Sequence, residues 1–381
     1  MANEPLQARL VARADLAGLG AIARKVVAGE RLSLEDGMAL YRADDLHAVG
    51  ELANFVREAK NGDLAYFNVN QHINYTNLCN KFCSFCSFDR QPGQAGAYLM
   101  TPEDAAEKIR EQLGEPVTEV HIVGGVWPRL GYEYYLELLR AVKAARPSIH
   151  IKAFTMVELD EIRRVAKRPL DVVLRELREA GLDSCPGGGA EIFADRVHQA
   201  GYHNKITGQE WLDMAREVHR SGLRANCTML HGHIETLEER LDHLDRLRRL
   251  QDETGGFQAY IPLSFHPANN EWSHLPGPSA LDELREIAVG RLMLDNIQHV
   301  KAYWILLDIP IAQLCLSFGA DDVDGTVVEE RIYHDAGATT PQEVQRAELI
   351  DWIREAGRIP IERDTLYNVV WSDEAQALAK A

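Results

Sequence analysis

Phe67-Asn-Val-Asn-Gln-His-Ile-Asn-Tyr-Thr76, followed after two intervening residues by Cys79-Asn-Lys-Phe-Cys83-Ser-Phe-Cys86, is the stretch on which the reading of this chain turns. The first run is rich in β-branched and aromatic residues and predicts a strand. The cysteines then fall on the loop that leaves it. Three thiolates at this spacing can hold three irons of a 4Fe-4S cluster, with the fourth iron left without a ligand from the motif. Two other readings stand beside it. One is a zinc site completed by a remote residue such as His72, although zinc modules usually pair Cys-x2-4-Cys units or add a His-x3-5-His partner. The other is incidental spacing.

Working outward, short apolar runs alternate with longer amphipathic stretches, the pattern of repeated βα units around a parallel sheet. Further strands are expected at 119–123, 150–155, 183–186, 224–230, 257–263, 299–305 and 316–319. Helices are expected between most of them, at 102–113, 132–145, 170–180, 208–220, 237–251 and 280–294. Eight strands suggest an α/β chain closed as a (βα)8 TIM-type barrel, with functional groups on the loops after the strands' C-terminal ends. Residues 1–60 read as an N-terminal helical extension, with Ser33 and the acids Glu35 and Asp36 marking a helix start. Residues 61–335 form the barrel core. Residues 336–381 add a helix that begins near Thr340-Pro341 and a polar, Ala-rich tail from Ser372 that is expected to fray.

A chain of 381 residues can bury a large core, and no stretch approaches the ~18 apolar residues of a membrane span. The first thirty residues lack a basic start followed by an apolar core, so a cytoplasmic location is expected. A net charge of −17 without a basic block opposes nucleic acid and anionic membranes and leaves a small molecule as the expected partner. Six cysteines in a chain of this size and expected compartment favour reduced thiols over a disulfide framework. Cys185, Cys227 and Cys315 lie on or beside strand candidates and read as buried, inert thiols.

The open iron can take the amino and carboxylate groups of S-adenosylmethionine (SAM), whose sulfonium then lies beside a low-potential one-electron donor. With Phe85 just before its last cysteine, the motif resembles the radical SAM superfamily. The resemblance extends through His72-Ile-Asn-Tyr-Thr-Asn-Leu-Cys79, Pro186-Gly-Gly-Gly-Ala-Glu-Ile-Phe193, Asn226-Cys-Thr-Met-Leu-His-Gly-His-Ile-Glu-Thr236 and His299-Val-Lys-Ala-Tyr-Trp304. It also covers Ser317-Phe-Gly-Ala-Asp-Asp-Val-Asp-Gly-Thr326 and Arg358-Ile-Pro-Ile-Glu-Arg-Asp-Thr-Leu-Tyr367. These segments are similar to the branch that acts on futalosine-type compounds in menaquinone synthesis.

That resemblance implies addition of the 5′-deoxyadenosyl radical to an aryl enolpyruvyl ether bearing a ring carboxylate, with SAM consumed as co-substrate and an electron donor such as flavodoxin or ferredoxin as partner. Sister enzymes in which the radical abstracts hydrogen, and a non-catalytic iron-sulfur or zinc protein, remain alternatives. It also implies that Cys79, Cys83 and Cys86 bind the cluster and that backbone at Phe85 contacts the adenine. Gly124-Gly125 would hold the SAM amino group through backbone, with Val126 standing where the superfamily has a glutamate. Glu191 would meet the ribose.

Strand alternation sends Asn226, Thr228 and Leu230 to one face, so the two polar residues are expected at the bound cofactor. His231, His233 and Glu235 follow and are candidates for acid, base or hydrogen-bonding roles, with ordinary loop structure as the alternative. Gln258, Tyr260, His266, Asn269, Lys301, Tyr303 and Trp304 are secondary candidates for the pocket wall. The acid pairs Asp321-Asp322 and Glu329-Glu330 orient loops or are simply solvated.

Overall fold

In the computed structural model, which describes residues 4–372, the run expected as one strand is two: β1 (Leu64–Asn68) and β2 (Asn70–Ile73). The chain stays extended but changes partners. β2 opens a seven-stranded parallel sheet completed by β3 (Glu119–Ile122), β4 (His150–Ala153), β5 (Ser184–Cys185), β6 (Arg224–His231), β7 (Phe257–Ser264) and β8 (His299–Val300), in that spatial order. β1 instead pairs in parallel with β9 (Asp322–Gly325) and β10 (Ile359–Arg363), and β11 (Val369–Ser372) adds an antiparallel edge. Single bridges join the two sheets, Lys301 to Asp322 on one side and Gln71 to Val328 on the other. The parallel α/β sheet is therefore curled nearly into a barrel, and its last position is filled by β9 and the irregular residues that follow it, 326–328.

Three expectations change here. Residues 316–319 form a turn and the strand lies at Asp322–Gly325, where Asp321, rather than meeting solvent, pairs with Arg291 and His299. The strand expected at 299–305 stops after Val300, and Trp304–Leu307 is helical. The C-terminal helix starts at Arg346 rather than at Thr340-Pro341, and β10 and β11 follow it. The tail expected to fray lies almost wholly outside the described residues.

Crossover helices begin where a hydroxyl and an acid stand three residues apart. Thr101, Thr155, Thr207, Thr236 and Ser279 each form a reciprocal capping box, each cap contributing about 1 kcal/mol. The helix Leu170–Ala180 buries Val173, Leu174 and Leu177, at about 1.5–3 kcal/mol per side chain. Ahead of the sheet stand the helices Glu4–Leu16, Gly20–Ala28, Leu34–Arg42 and Leu46–Asn61. The third opens on Ser33, whose Oγ accepts from the Asp36 N–H at 3.2 Å. Leu34–Arg42 and Leu46–Asn61 pack on Ala280–Met293, outside β7. Among the described residues no helix is long and apolar enough to cross a membrane.

Candidate functional site

A cavity opens at the C-terminal ends of the strands and reaches down inside the curled sheet. Its mouth is built on the cysteine loop. Past β2 the loop is tied to the turn after β3 by backbone hydrogen bonds, Gly125 N to Thr76 O at 2.7 Å and Asn80 N to Val126 O at 3.0 Å. On its other side Ser84 N donates to Gly201 O, and Glu271 N to Ser84 O. Phe82 takes φ +48°, which reverses the chain between the first two cysteines. Cys79, Cys83 and Cys86 are all half-buried, free of disulfides, and face the cavity.

Burial pushes the Cys86 thiol up to about 11 and the Cys83 thiol higher still, the latter opposed in part by Lys205. Thiolates here therefore need a positive partner, and coordinated iron supplies one. Three soft donors around a cavity, with no fourth supplied by the loop, fit a 4Fe-4S cluster with one open iron. Among the described residues no three His, Cys, Asp or Glu side chains are grouped so as to hold a single metal ion.

The turn after β3 forms the next wall. A Cβ on Gly125 would lie 2.3 Å from Leu78 O, and one on Gly124 2.8 Å from the Tyr75 ring, so glycines let the two loops touch. Both N–H groups are committed, Gly125 to Thr76 and Gly124 to Glu158 Oε1 at 3.1 Å. What this turn can offer a ligand is carbonyl oxygen, an acceptor suited to an ammonium group. Val126 is buried, its carbonyl held by Asn80. Glu158 also takes the Tyr75 hydroxyl at 2.9 Å and closes the Thr155 capping box, and burial raises its pKa.

Glu191 lines the cavity at φ +46°, and its Oε1 receives Lys205 Nζ at 2.5 Å. Burial works against the Lys205 charge, but Cys83 and Glu191 outweigh it and hold the ammonium firmly protonated. Lys205 lies 5.2 Å from the centroid of the Phe85 ring, which also meets Tyr202 and Trp272 edge-on or tilted. The alternation expected on β6 is present. Asn226, Thr228 and Leu230 line the cavity, Thr228 Oγ1 donating to Gly187 O at 2.8 Å, while Cys227 and Met229 are buried behind.

His231, His233 and Glu235 do not line it. His231 stands on the far face of β6, 3.2 Å from Glu283. His233 is engaged by Leu230 O and Glu235, and Glu235 accepts from the N–H groups of Gly232 and His233 and pairs with Arg240. His233 and Glu235 are thus engaged within the loop, and His231, at the end of β6, faces Glu283, so the structure does not bring these three to the cavity wall.

Of the secondary candidates, His266 and Tyr303 reach the wall. Gln258 bonds to Thr365 O, Tyr260 to Glu286, Asn269 to Asp335 O, Trp304 to Gly325 O, and Lys301 to Asp324. Asp322 is buried against Arg363, Glu329 pairs with Lys108, and Glu330 lines the cavity. Cys185, Cys227 and Cys315 are buried.

Sequence reasoning missed Glu158, Lys205, His121 and Ser264, all on the wall. The Thr155-x-x-Glu158 capping pattern directly after a strand was a usable signal for the first. Lys205 carries none, since only the fold brings it to Glu191.

A family model described as the radical SAM superfamily matches residues 73–247, and one described as the CofH/MqnC C-terminal region matches residues 254–376. The chain is 47% identical to the aminodeoxyfutalosine synthase of Thermus thermophilus, over 92% of this chain and 95% of that one. With the aminodeoxyfutalosine synthase of Streptomyces coelicolor the identity is 44%, over 91% and 92%. Among solved structures, methylornithine synthase superposes with a TM-score of 0.72 at 18% identity, covering 94% of this chain and 99% of that one, a likeness of fold.

Proposed function

Since the chain belongs to the radical SAM superfamily, we propose that it carries out the aminodeoxyfutalosine synthase reaction of menaquinone synthesis. In this reading the 5′-deoxyadenosyl group of SAM is added to the vinyl carbon of 3-[(1-carboxyvinyl)oxy]benzoate. Rearrangement onto the ring and loss of the enolpyruvyl carboxylate as carbon dioxide, with the one electron given back, yield 6-amino-6-deoxyfutalosine. The observation that carries the reading is the set of three cysteine thiols facing one cavity, in a chain similar over about nine-tenths of its length to two synthases of that name.

Cys79, Cys83 and Cys86 would hold the cluster, which when bound supplies one electron to SAM and opens its S–C5′ bond. Gly124 and Gly125 present carbonyl oxygens to the amino group, Phe85 and its loop border the adenine, and Glu191 is placed for a ribose hydroxyl. Asn226 and Thr228 form the wall between the mouth and the interior. Ile261, Leu263 and Tyr303 give the inner cavity an apolar surface for an aromatic ring. Enclosure by the curled sheet keeps water from the radical and fixes which carbon it meets. The electron would come from a small one-electron carrier such as flavodoxin or ferredoxin.

Anaerobically reconstituted, reduced protein is incubated with SAM and the enolpyruvyl benzoate, and the products are read by mass spectrometry. The adduct, with methionine released in equal amount, is expected. Free 5′-deoxyadenosine without adduct would assign the chain to hydrogen abstraction instead.

A further inference from the structure

Two buried side-chain polar atoms on the cavity wall have no hydrogen-bond partner among the described residues, His121 Nε2 and Ser264 Oγ. Ser264 closes β7, near the mouth. His121 lies deeper, on β3 three residues before Gly124, so about 10 Å below the turn that borders SAM. We propose that His121 is the donor at the cavity floor that receives the ring carboxylate of the aryl substrate, an inference that rests on the function proposed above.

The site is built across three strands. β2, β3 and β4 put His72, His121 and Lys152 side by side in register. The His72 ring meets His121 edge-on at 4.6 Å between centroids and fixes its plane. Lys152 is buried and holds Glu119 at 2.7 Å. Burial first, then His72 and Lys152, keep His121 neutral, with Glu119 opposing. A neutral imidazole still donates one N–H. Lys152 and Lys301 are each paired with an acid, so the group the floor offers a ligand is the imidazole N–H.

The nearby acids are already engaged. Asp324 takes Asn70 and Lys301, and Glu330 takes the Ile332 and Tyr333 N–H groups and His334. An unmet buried donor is unfavourable, and a carboxylate arriving at the floor satisfies it. Held there, the ring keeps its enolpyruvyl arm pointing up toward the cysteine loop.

The test compares wild type, His121→Phe and His121→Gln on two substrates, the enolpyruvyl benzoate and the same ether of phenol, which lacks the ring carboxylate. For His121→Phe the KM of the benzoate should rise about 10- to 100-fold, with little change for the phenol ether. His121→Gln, which keeps a donor, should recover most of the loss. Equal losses on both substrates, or no loss on the benzoate, would overturn the assignment. If His121→Phe fails to bind iron, the Gln variant decides by the same ratio between the two substrates. A wild type that forms no adduct overturns the proposed function itself. A wild type that forms it while the variants lose both substrates alike overturns only the role of His121.

Discussion

The cysteine loop after β2 and the histidine loop after β6 leave the same sheet at the same end, and both are dense in residues able to do chemistry. They differ in what their side chains already hold. At the first, three thiols face the cavity with no covalent partner, while the loop is fixed through its backbone. At the second, His233, Glu235 and Arg240 satisfy one another and the surrounding backbone. Residue type marks both loops as candidates. Unmet bonding capacity separates a site from a scaffold.

The comparison breaks most sharply on substitution of the cysteines. Changing Cys79, Cys83 or Cys86 to Ala should reduce SAM cleavage to background, read as 5′-deoxyadenosine under dithionite. Cys227→Ala should retain cleavage and lose about 1 kcal/mol of stability. Next comes the support of the loop. Gly125→Ala drives a Cβ into Leu78 backbone, and a cost of about 1–3 kcal/mol should appear together with less iron bound per chain.

Glu235→Gln should do the reverse of a catalytic lesion. Breaking a buried pair costs about 3 kcal/mol, visible in urea unfolding, while cleavage per folded chain stays at the wild-type level. Burial pushes the Glu235 carboxyl up, but His233, Arg240 and the Gly232 N–H outweigh it and hold it well below the usual range. Its contribution is thus present above the ordinary carboxylate pKa and lost as pH falls through the depressed one. The variant's stability should fall less steeply in acid than the wild type's.

The smallest effect belongs to His334, raised to about 9 by its bond to Glu330, with burial opposing. Its stabilisation is present below the ordinary histidine pKa and fades as pH rises through about 9. His334→Asn should flatten that decline in thermal unfolding.

Much of this was legible in the sequence because it is local. The cysteine spacing, the glycine pair and the alternation of Asn226, Thr228 and Leu230 are properties of single segments. The break between β1 and β2 was not, because both halves have strand composition and only their partners differ. The plain-looking 322–328 segment completes the sheet because Gly325 tolerates Asn68 and Asn70 at 2.4 Å from where a Cβ would stand. The histidine loop misled for the same reason in reverse. Its partners lie within five residues or on a distant helix, and neither spacing nor residue type distinguishes a satisfied histidine from a free one. Lys205 and His121 were silent because their meaning comes from neighbours distant in the chain.

The central claim is that the cysteine loop presents an iron open to SAM inside this cavity. Electron paramagnetic resonance of the reduced, reconstituted protein tests it most directly. A 4Fe-4S signal that changes shape when SAM is added, and that is missing in Cys83→Ala, is the predicted result. A signal indifferent to SAM would contradict the account.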